Sequence, residues 1–363
     1  MRSEARMARS EGPASRISLD VVEAQAGGDV GRVIMDGVTD LPGSTVVGRA
    51  EFLQHEADGL RRCFVSPPHG TPSHCLNLIV PPSDARADAG LIIMGPMGYP
   101  GFSGSNAMCA VAALAEAERL PTTEAEQRLV LETPAGLSTL DIGCRNARVE
   151  TVTYEAVPGF VATGEHRLEV EGWGSVPLEL VYGGTSYVMV RGAEIGIDPA
   201  TASVEALQRF CAALLASLDP AWCIHHPLLG DLPPPSMILL AGAPERSPIK
   251  GMSVPLAVYM HPGVICRGPT GTGTTALLAH LMKRGELPPG TTVRTVSPFG
   301  NVFEGTLLGS ARIGDVTGVR TSIRGHPRVL ARSQVFLDEE ALSCDVQGFR
   351  RLFEAPPGDG RVG

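Results

Sequence analysis

The chain has 363 residues, of which 43% are hydrophobic, and a formal net charge of −9. This length and apolar content are sufficient for two domains with cores of their own. The acidic balance argues against a nucleic-acid-binding surface, and no apolar run approaches the roughly 20 residues that span a bilayer. We therefore expect a cytoplasmic protein that binds neither nucleic acids nor membranes.

The predicted elements begin after a polar N-terminal segment, residues 1–16, which lacks the apolar stretch of a secretory signal and is expected to be a disordered tail. In the first half, apolar or alternating runs predict strands at 17–24, 31–35, 75–80, 91–94, 128–132, 138–142 and 147–154, with helices within 46–64 and from Asn106 to about Arg119. In the second half, they predict strands at 176–181, 186–191, 236–241, 253–260, 293–296, 301–309, 311–316 and 328–336, with helices at 203–218 and from about Thr275 to Arg284.

Two of these helices begin in the same way. Ser103-Gly104-Ser105-Asn106 precedes one, and Thr270-Gly271-Thr272-Gly273-Thr274 precedes the other, about half the chain length away. A single turn of this kind indicates only a helix start, because small polar residues are ordinary N-caps. A helix N-terminus also carries unpaired backbone N–H groups and a partial positive charge. Two matching turns therefore favour a duplicated α/β unit whose paired helix ends bind a carboxylate.

Other ligand classes have little support. The run from Thr270 to Thr274 lacks the Lys of a phosphate-binding loop and the spacing of a dinucleotide-binding turn. Lys250 and Lys283 are the only lysines, which leaves few candidates for a pyridoxal Schiff base. The eight cysteines show no CxxC spacing, and Cys223-Ile224-His225-His226 has no further pair of spaced ligands. We expect neither a metal nor a cofactor.

Several motifs resemble those of the proline racemase superfamily. They are DAGLIIM from Asp88 with YPGFSGSNAMC after it, ETPAGL from Glu132, VYGGTSYV from Val181, RGPTGTGTTALLA from Arg267, and EAQAGGDVGRVI near the N-terminus. The resemblance extends from about Ile17 to Phe336. It implies an α+β, diaminopimelate-epimerase-like fold with two pseudo-symmetric α/β domains, each a curved sheet around a central helix. The expected domains are 17–157 and 158–336, with 337–355 returning to the first, and the resemblance allows a homodimer.

The resemblance also assigns the reacting positions. Members of the superfamily carry a Cys in each domain, as acid and base on opposite faces of the substrate α-carbon, and this chain has Ser103 and Thr270 there. A Thr hydroxyl is a much weaker acid than a thiol, so a two-base racemisation is disfavoured. Superfamily members with Thr at the second position resemble trans-3-hydroxy-L-proline dehydratases. A cofactor-independent dehydratase is therefore expected, giving pyrroline-2-carboxylate by α-proton abstraction and loss of water from such a cyclic imino acid.

Two alternatives stay open. One is an isomerase of the 4-hydroxyproline 2-epimerase or proline racemase type, with Ser103 and a displaced thiol as its acid–base pair. The other is a catalytically altered homologue that only binds the imino acid. Under either reading of the reaction, Ser103 needs an activating partner, because a helix dipole contributes at most about 2 kcal/mol. The sequence does not identify that partner.

The substrate-binding residues implied by the resemblance are Gly104, Ser105, Asn106, Cys266, Gly271 and Thr272. Four positions depart from the family pattern. Cys266 stands where the family has an Asp that contacts the substrate amine, Ser105 and Gln25 stand where it has His, and His69 stands where it has Arg. Cys266 is either a relocated reactive thiol or an inert buried side chain, and Cys109 is expected to pack in the core.

Overall fold

The computed structural model describes residues 16–338 except 39, 40, 220, 250 and 262. Nearly all of the predicted tail, and the segment 339–355 that was expected to return to the first domain, lie outside the described residues. The helices of the described part are α1 Val46–Glu56, α2 Gly59–Phe64, α3 Gly104–Glu116, α4 Val204–Ser217 and α5 Gly271–Lys283, with a 3₁₀ turn at Gly192–Glu194. Among them, none has the length and apolar character needed to cross a membrane.

The strands fall into two series. The first comprises β1 Arg16–Ala26, β2 Asp29–Asp36, β3 Cys75–Val80, β4 Ala89–Met94, β5 Glu126–Thr133, β6 Gly136–Arg145 and β7 Arg148–Glu155. The second comprises β8 Phe160–Val161, β9 His166–Val170, β10 Gly174–Tyr182, β11 Ser186–Arg191, β12 His225–His226, β13 Gly230–Asp231, β14 Met237–Ala241, β15 Glu245–Ser247, β16 Gly251–Met260, β17 Val264–Ile265, β18 Thr292–Val296, β19 Val302–Ile313, β20 Val316–Gly325 and β21 Arg328–Asp338.

The first seven strands form a sheet that wraps around α3. The pairs β2–β3 and β4–β5 are parallel, whereas β1–β2, β3–β4, β5–β6 and β6–β7 are antiparallel. Helix α3 leaves β4 and contacts both β1 and β7, at opposite ends of this strand order. Its residues from Ala107 to Leu114 are all buried, so the helix is apolar around its whole circumference, as a helix enclosed by a sheet must be.

The second unit repeats this pairing pattern around α5. The strands β10, β11, β14, β16, β18, β19 and β20 follow one another with the same succession of antiparallel and parallel pairs. Helix α5 follows β16 and the short β17, and it contacts β10 and β20. This repeat confirms the duplicated α/β unit and the expected α+β fold with two pseudo-symmetric halves, each with a curved sheet around a central helix.

The two units are joined by their strands. β7 pairs antiparallel with β20, which places the last strands of the two repeated sheets side by side. The chain then returns through β21, which pairs with β1 from Ile17 to Gln25. β21 begins at Arg328, before the return point predicted at residue 337.

Three local differences from the predicted elements have physical causes. The segment predicted to hold a helix within 46–64 forms two helices, because the helical conformation is interrupted at Ala57 and Asp58. Both central helices begin earlier than predicted, at Gly104 and Gly271, because the residues of each polar turn already form the first helical turn. The segments predicted at 301–309 and 311–316 are one strand, β19, which continues past Gly309 through an irregularity in its pairing with β20.

Candidate active site

The N-terminal ends of α3 and α5 both approach the hydroxyl oxygen of Tyr154 closely. A Cβ atom built on Gly104 or on Gly271, the first residues of the two helices, would overlap with this oxygen. Tyr154 is buried on β7, and burial raises the pKa of its hydroxyl above the ordinary value. The phenol is therefore neutral at neutral pH, and it lies between two helix ends that each present unpaired N–H groups.

Ser103 is the N-cap of α3, but its side chain makes no capping hydrogen bond. The amide Nδ2 of Asn106 donates to Ser103 Oγ at 2.9 Å, and Asn77 Nδ2 donates to Asn106 Oδ1 at 2.9 Å. Both asparagines are buried. The Asn106 amide therefore fixes the Ser103 oxygen, and Asn77 on β3 in turn fixes Asn106, while the hydroxyl hydrogen of Ser103 can still be donated to an acceptor.

This pair of hydrogen-bonded asparagines, Asn77 and Asn106, is a partner of Ser103 that sequence reasoning missed. A donated hydrogen bond favours the ionised form of an oxygen, so Asn106 assists any loss of the Ser103 proton, although an amide cannot remove that proton itself. Asn106 was expected to contact the substrate. In the structure its Oδ1 accepts from Asn77 and one N–H of its Nδ2 donates to Ser103, so a substrate contact through the second N–H stays a prediction. Asn77 Oδ1 is buried without a hydrogen-bond partner.

Thr270 differs from Ser103 in both backbone and side chain. Its φ of 55° and ψ of 145° are unusual for a β-branched residue, and such strain occurs preferentially at functional sites. Its Oγ1 accepts a hydrogen bond from the backbone N–H of Gly273 at 2.9 Å. The buried hydroxyl of Tyr187 lies 3.3 Å from Thr270 Oγ1 and forms a 2.7 Å hydrogen bond with the hydroxyl of Thr272.

Cys266 is partly exposed near the start of α5. Burial of the sulfur raises its pKa well above the ordinary value, and the negative charge of Asp29 raises it further. The thiol is therefore protonated and uncharged at neutral pH. Cys109, expected in the core, is indeed buried there among the apolar residues that surround α3.

The other three departures from the family pattern have structural partners. Gln25 Oε1 accepts the backbone N–H of Gly28 at 2.8 Å and so fixes the turn between β1 and β2. The backbone oxygen of His69 accepts a hydrogen bond from the Arg32 guanidinium. The hydroxyl of Ser105 lies 3.4 Å from Ser103 Oγ at the start of α3.

Asp29 is a second group that sequence reasoning missed. It follows the Gly27-Gly28 turn, and its Oδ1 accepts the backbone N–H of Gly268 at 3.2 Å. Burial raises its pKa to about 6, although the Gly268 N–H and the Arg267 guanidinium act in the opposite direction. An acidic residue directly after two turn glycines, at the start of a strand, is the only local signal that could have indicated it.

The Cys223–His226 segment does not form a ligand cluster. His226 is buried, its Nδ1 accepts the backbone N–H groups of Leu228 and Leu229, and its ring packs between Phe160 and Tyr182. In the part of the chain that the structure describes, no group of three His, Cys, Asp or Glu side chains is arranged to hold a metal ion.

Solved structures with the same architecture include two with appreciable sequence identity. A probable proline racemase from Agrobacterium radiobacter K84, with bound carbonate, is 30% identical, with a TM-score of 0.78 over 89% of this chain and 94% of that one. A hydroxyproline epimerase from Agrobacterium vitis, with bound trans-4-hydroxy-L-proline, is 30% identical, with a TM-score of 0.74 over 88% of this chain and 92% of that one. A PhzF-family protein from Bacillus anthracis shares only the fold, at 13% identity and a TM-score of 0.55 over 88% of this chain and 99% of that one.

Sequence relatives span the same region. A protein from Chromohalobacter salexigens is 36% identical over 322 residues, which cover 89% of both chains. A 4-hydroxyproline 2-epimerase from Allorhizobium ampelinum is 31% identical over 322 residues, which cover 88% of this chain and 91% of that one. The family profile described as proline racemase matches residues 21–342. With its diaminopimelate-epimerase-like fold and this match over most of its length, the chain belongs to the proline racemase family.

Proposed function

We propose that this protein binds a hydroxyproline-type imino acid between the N-terminal ends of α3 and α5 and catalyses proton transfer at its α-carbon as a 2-epimerase. The observation that carries the proposal is the convergence of Gly104 and Gly271 on the Tyr154 hydroxyl. Two helix ends that approach the same point both present unpaired N–H donors to a carboxylate bound between them. The epimerase activity named for the Allorhizobium and Agrobacterium vitis relatives supports the choice of reaction.

Epimerisation requires a proton acceptor on one face of the α-carbon and a donor on the other. Ser103 and Thr270 cap the two helices that would hold the carboxylate, so each hydroxyl lies beside its own helix end. Bound this way, the substrate carboxylate lies near both N-termini, and the partial positive charges of those ends stabilise the negative charge that develops when the α-proton leaves. The Asn106 amide stabilises negative charge on Ser103 in the same step.

A second candidate function is dehydration of a trans-3-hydroxyproline. It is supported by the different hydrogen bonding of the Ser103 and Thr270 hydroxyls. Ser103 Oγ makes no capping bond, whereas Thr270 Oγ1 accepts a backbone N–H and sits on a strained backbone. Only one side chain has to act in an elimination in which the α-proton and the leaving hydroxyl share one ring face. This asymmetry favours chemistry on the Ser103 side.

The products distinguish these reactions. The purified protein is incubated separately with trans-4-hydroxy-L-proline and with trans-3-hydroxy-L-proline. Epimerisation converts the first into its 2-epimer, seen as a change in optical rotation and a new peak in chiral chromatography. Dehydration converts the second into pyrroline-2-carboxylate, which borohydride reduces to proline. The epimer alone supports the primary proposal, and the imine alone supports the second candidate. Absence of both, with pyrrole-2-carboxylate still raising the melting temperature, contradicts both reactions and supports a binding protein.

A further inference from the structure

We infer that the Asp29 carboxylate is the ionic partner of the ring ammonium group of the substrate. The inference rests on the proposed function, because it assumes that an amino or imino acid binds between the two helix ends. It assigns the ionic contact with the substrate ammonium group to a residue of β2, because the thiol of Cys266 cannot make that contact.

The backbone holds Asp29 at the junction of the two units. Gly27 and Gly28 have φ values of 59° and 90°, and this tight turn brings the carboxylate against the segment that precedes α5. There, Asp29 Oδ1 accepts the N–H of Gly268, while a Cβ atom built on Gly268 would lie 3.2 Å from Asp29 Oδ2 and would overlap with the Gly27 oxygen. Glycine at 268 therefore permits this approach.

The groups around the carboxylate belong to both halves of the cleft. The charge of Asp29 raises the pKa values of Cys75 and Cys109 in the first unit, and of Cys266 and Tyr187 in the second, in each case in addition to the larger effect of burial. Tyr187 in turn contacts Thr270. Asp29 is half-buried, and its charge therefore acts on neutral thiols and on a neutral hydroxyl, that of Tyr187, which contacts a reacting position.

Asp29 forms no ion pair with any of the described residues. The charge of Arg267 acts on its pKa, but the Arg267 guanidinium stacks on the Phe299 ring at 4.5 Å. Glu23, on β1 near this turn, is already paired with Arg32 at 3.0 Å. A half-buried carboxylate that has no ion-pair partner is unfavourable unless a ligand supplies a cation.

The charge pattern matches a zwitterion. The helix ends at Gly104 and Gly271 are positive and suit the substrate carboxylate. Asp29 is negative and suits the ammonium group, which in a proline-type ring is separated from the carboxylate by one carbon. Cys266 stays uncharged because of its raised pKa, so it cannot supply this negative charge. A carboxylate on a neighbouring element therefore takes over the ionic contact.

Two ring carboxylates test the inference directly. L-Proline carries the ring ammonium, whereas tetrahydrofuran-2-carboxylate has a ring oxygen in its place. Binding of each is measured by calorimetry for wild type, Asp29→Asn and the control Asp36→Asn. Asp36 is an exposed carboxylate at the other end of β2, and like Asp29 it accepts a backbone N–H, here from Gly37 at 2.7 Å.

We expect Asp29→Asn to weaken L-proline binding about 10- to 100-fold, as is usual for loss of a hydrogen bond between charged groups. The affinity for tetrahydrofuran-2-carboxylate should change less than about threefold. Asp36→Asn should leave both affinities unchanged. Equal losses for both ligands, or unchanged L-proline affinity in Asp29→Asn, would overturn the role of Asp29 and leave the proposed function intact. A wild-type protein that binds neither ligand would contradict this inference, whereas the proposed function is tested separately by the two hydroxyproline assays above.

The wild-type protein provides a second measurement that needs no folded variant. Because binding of the ring ammonium requires ionised Asp29, the affinity for L-proline should fall up to about tenfold per pH unit below pH 6. The affinity for tetrahydrofuran-2-carboxylate should not fall. Neither ligand changes charge between about pH 5 and 8, and the neighbouring thiols and Tyr187 titrate above this range. A flat pH profile for L-proline would overturn the inference.

Discussion

Gly104 and Gly271 begin helices in different halves of the chain, yet both approach the same hydroxyl oxygen of Tyr154. The two positions differ in what else a side chain would meet. A Cβ atom on Gly271 would overlap only with the hydroxyl oxygen and would lie 3.4 Å from the ring carbon Cζ. A Cβ atom on Gly104 would overlap with both the oxygen and the ring.

This difference predicts an unequal rescue. Gly271→Ala and Gly104→Ala should each lower the free energy of unfolding by about 1–3 kcal/mol, the usual cost of overpacking. Adding Tyr154→Phe removes the oxygen and should restore most of the stability lost in Gly271→Ala, but little of that lost in Gly104→Ala. Urea denaturation of the single and double variants measures this. Equal rescue of both variants would contradict the geometry at Tyr154.

Substitutions of Ser103 and Ser203 separate a loss of turnover from a loss of stability. Both are helix N-caps, but Ser203 Oγ accepts the backbone N–H of Ala206, whereas Ser103 makes no capping bond. Ser203→Ala should therefore cost about 0.5–2 kcal/mol of stability and leave turnover unchanged. Ser103→Ala removes the acceptor of the buried Asn106 N–H and should cost a comparable amount, about 1–3 kcal/mol, but it should also abolish turnover while pyrrole-2-carboxylate still binds. Turnover that survives in Ser103→Ala would remove this hydroxyl from the reaction.

Thr270→Cys tests whether the second hydroxyl limits epimerisation. A thiol has a reference pKa near 8.5 and is a far stronger acid than a Thr hydroxyl, and a helix N-terminus lowers a thiol pKa further. The variant should show faster epimerisation of 4-hydroxyproline than wild type, with no matching increase in dehydration of 3-hydroxyproline. Thr270→Ser is the control, because it removes the branching methyl group without introducing a stronger acid. If Thr270→Ser accelerates epimerisation as much as Thr270→Cys does, acidity is not the limiting property.

Asp29 should make stability depend on pH. Its pKa is about 6 in the folded protein against 3.8 without the fold, so the folded state binds more protons between these values and loses stability as pH rises from about 4 to 6. Above pH 6 the ionised carboxylate costs up to about 3 kcal/mol. Asp29→Asn should therefore be more stable than wild type at pH 7, with the difference vanishing toward pH 4, as measured by chemical denaturation. A constant difference across this range would contradict the raised pKa.

The sequence was sufficient to predict the features that repeat. The polar turns at Ser103 and Thr270 are local signals, and each lies at the start of a buried helix as expected. The apolar runs predicted β3, β4 and β16 to within a few residues, because buried strands need continuous hydrophobic side chains.

The groups that reach the site from a distance could not be predicted from the sequence. Tyr154 lies in an alternating strand like many others, and only the pairing of β7 with β20 brings it between the helix ends. Asn77 is a single polar residue in an apolar strand, and its link to Ser103 depends on the packing of α3 against β3. Asp29 meets Gly268 across most of the chain length, a contact for which no local spacing is informative.

The most direct test of the central claim is deuterium incorporation at the substrate α-carbon. The protein is incubated in D₂O with trans-4-hydroxy-L-proline or trans-3-hydroxy-L-proline, and the α-proton signal is followed by NMR. We predict that wild type removes the α-proton signal of at least one of these substrates, and that Ser103→Ala does not. Full retention of both signals with wild-type protein, under conditions in which either substrate binds, would contradict proton transfer between the two helix ends.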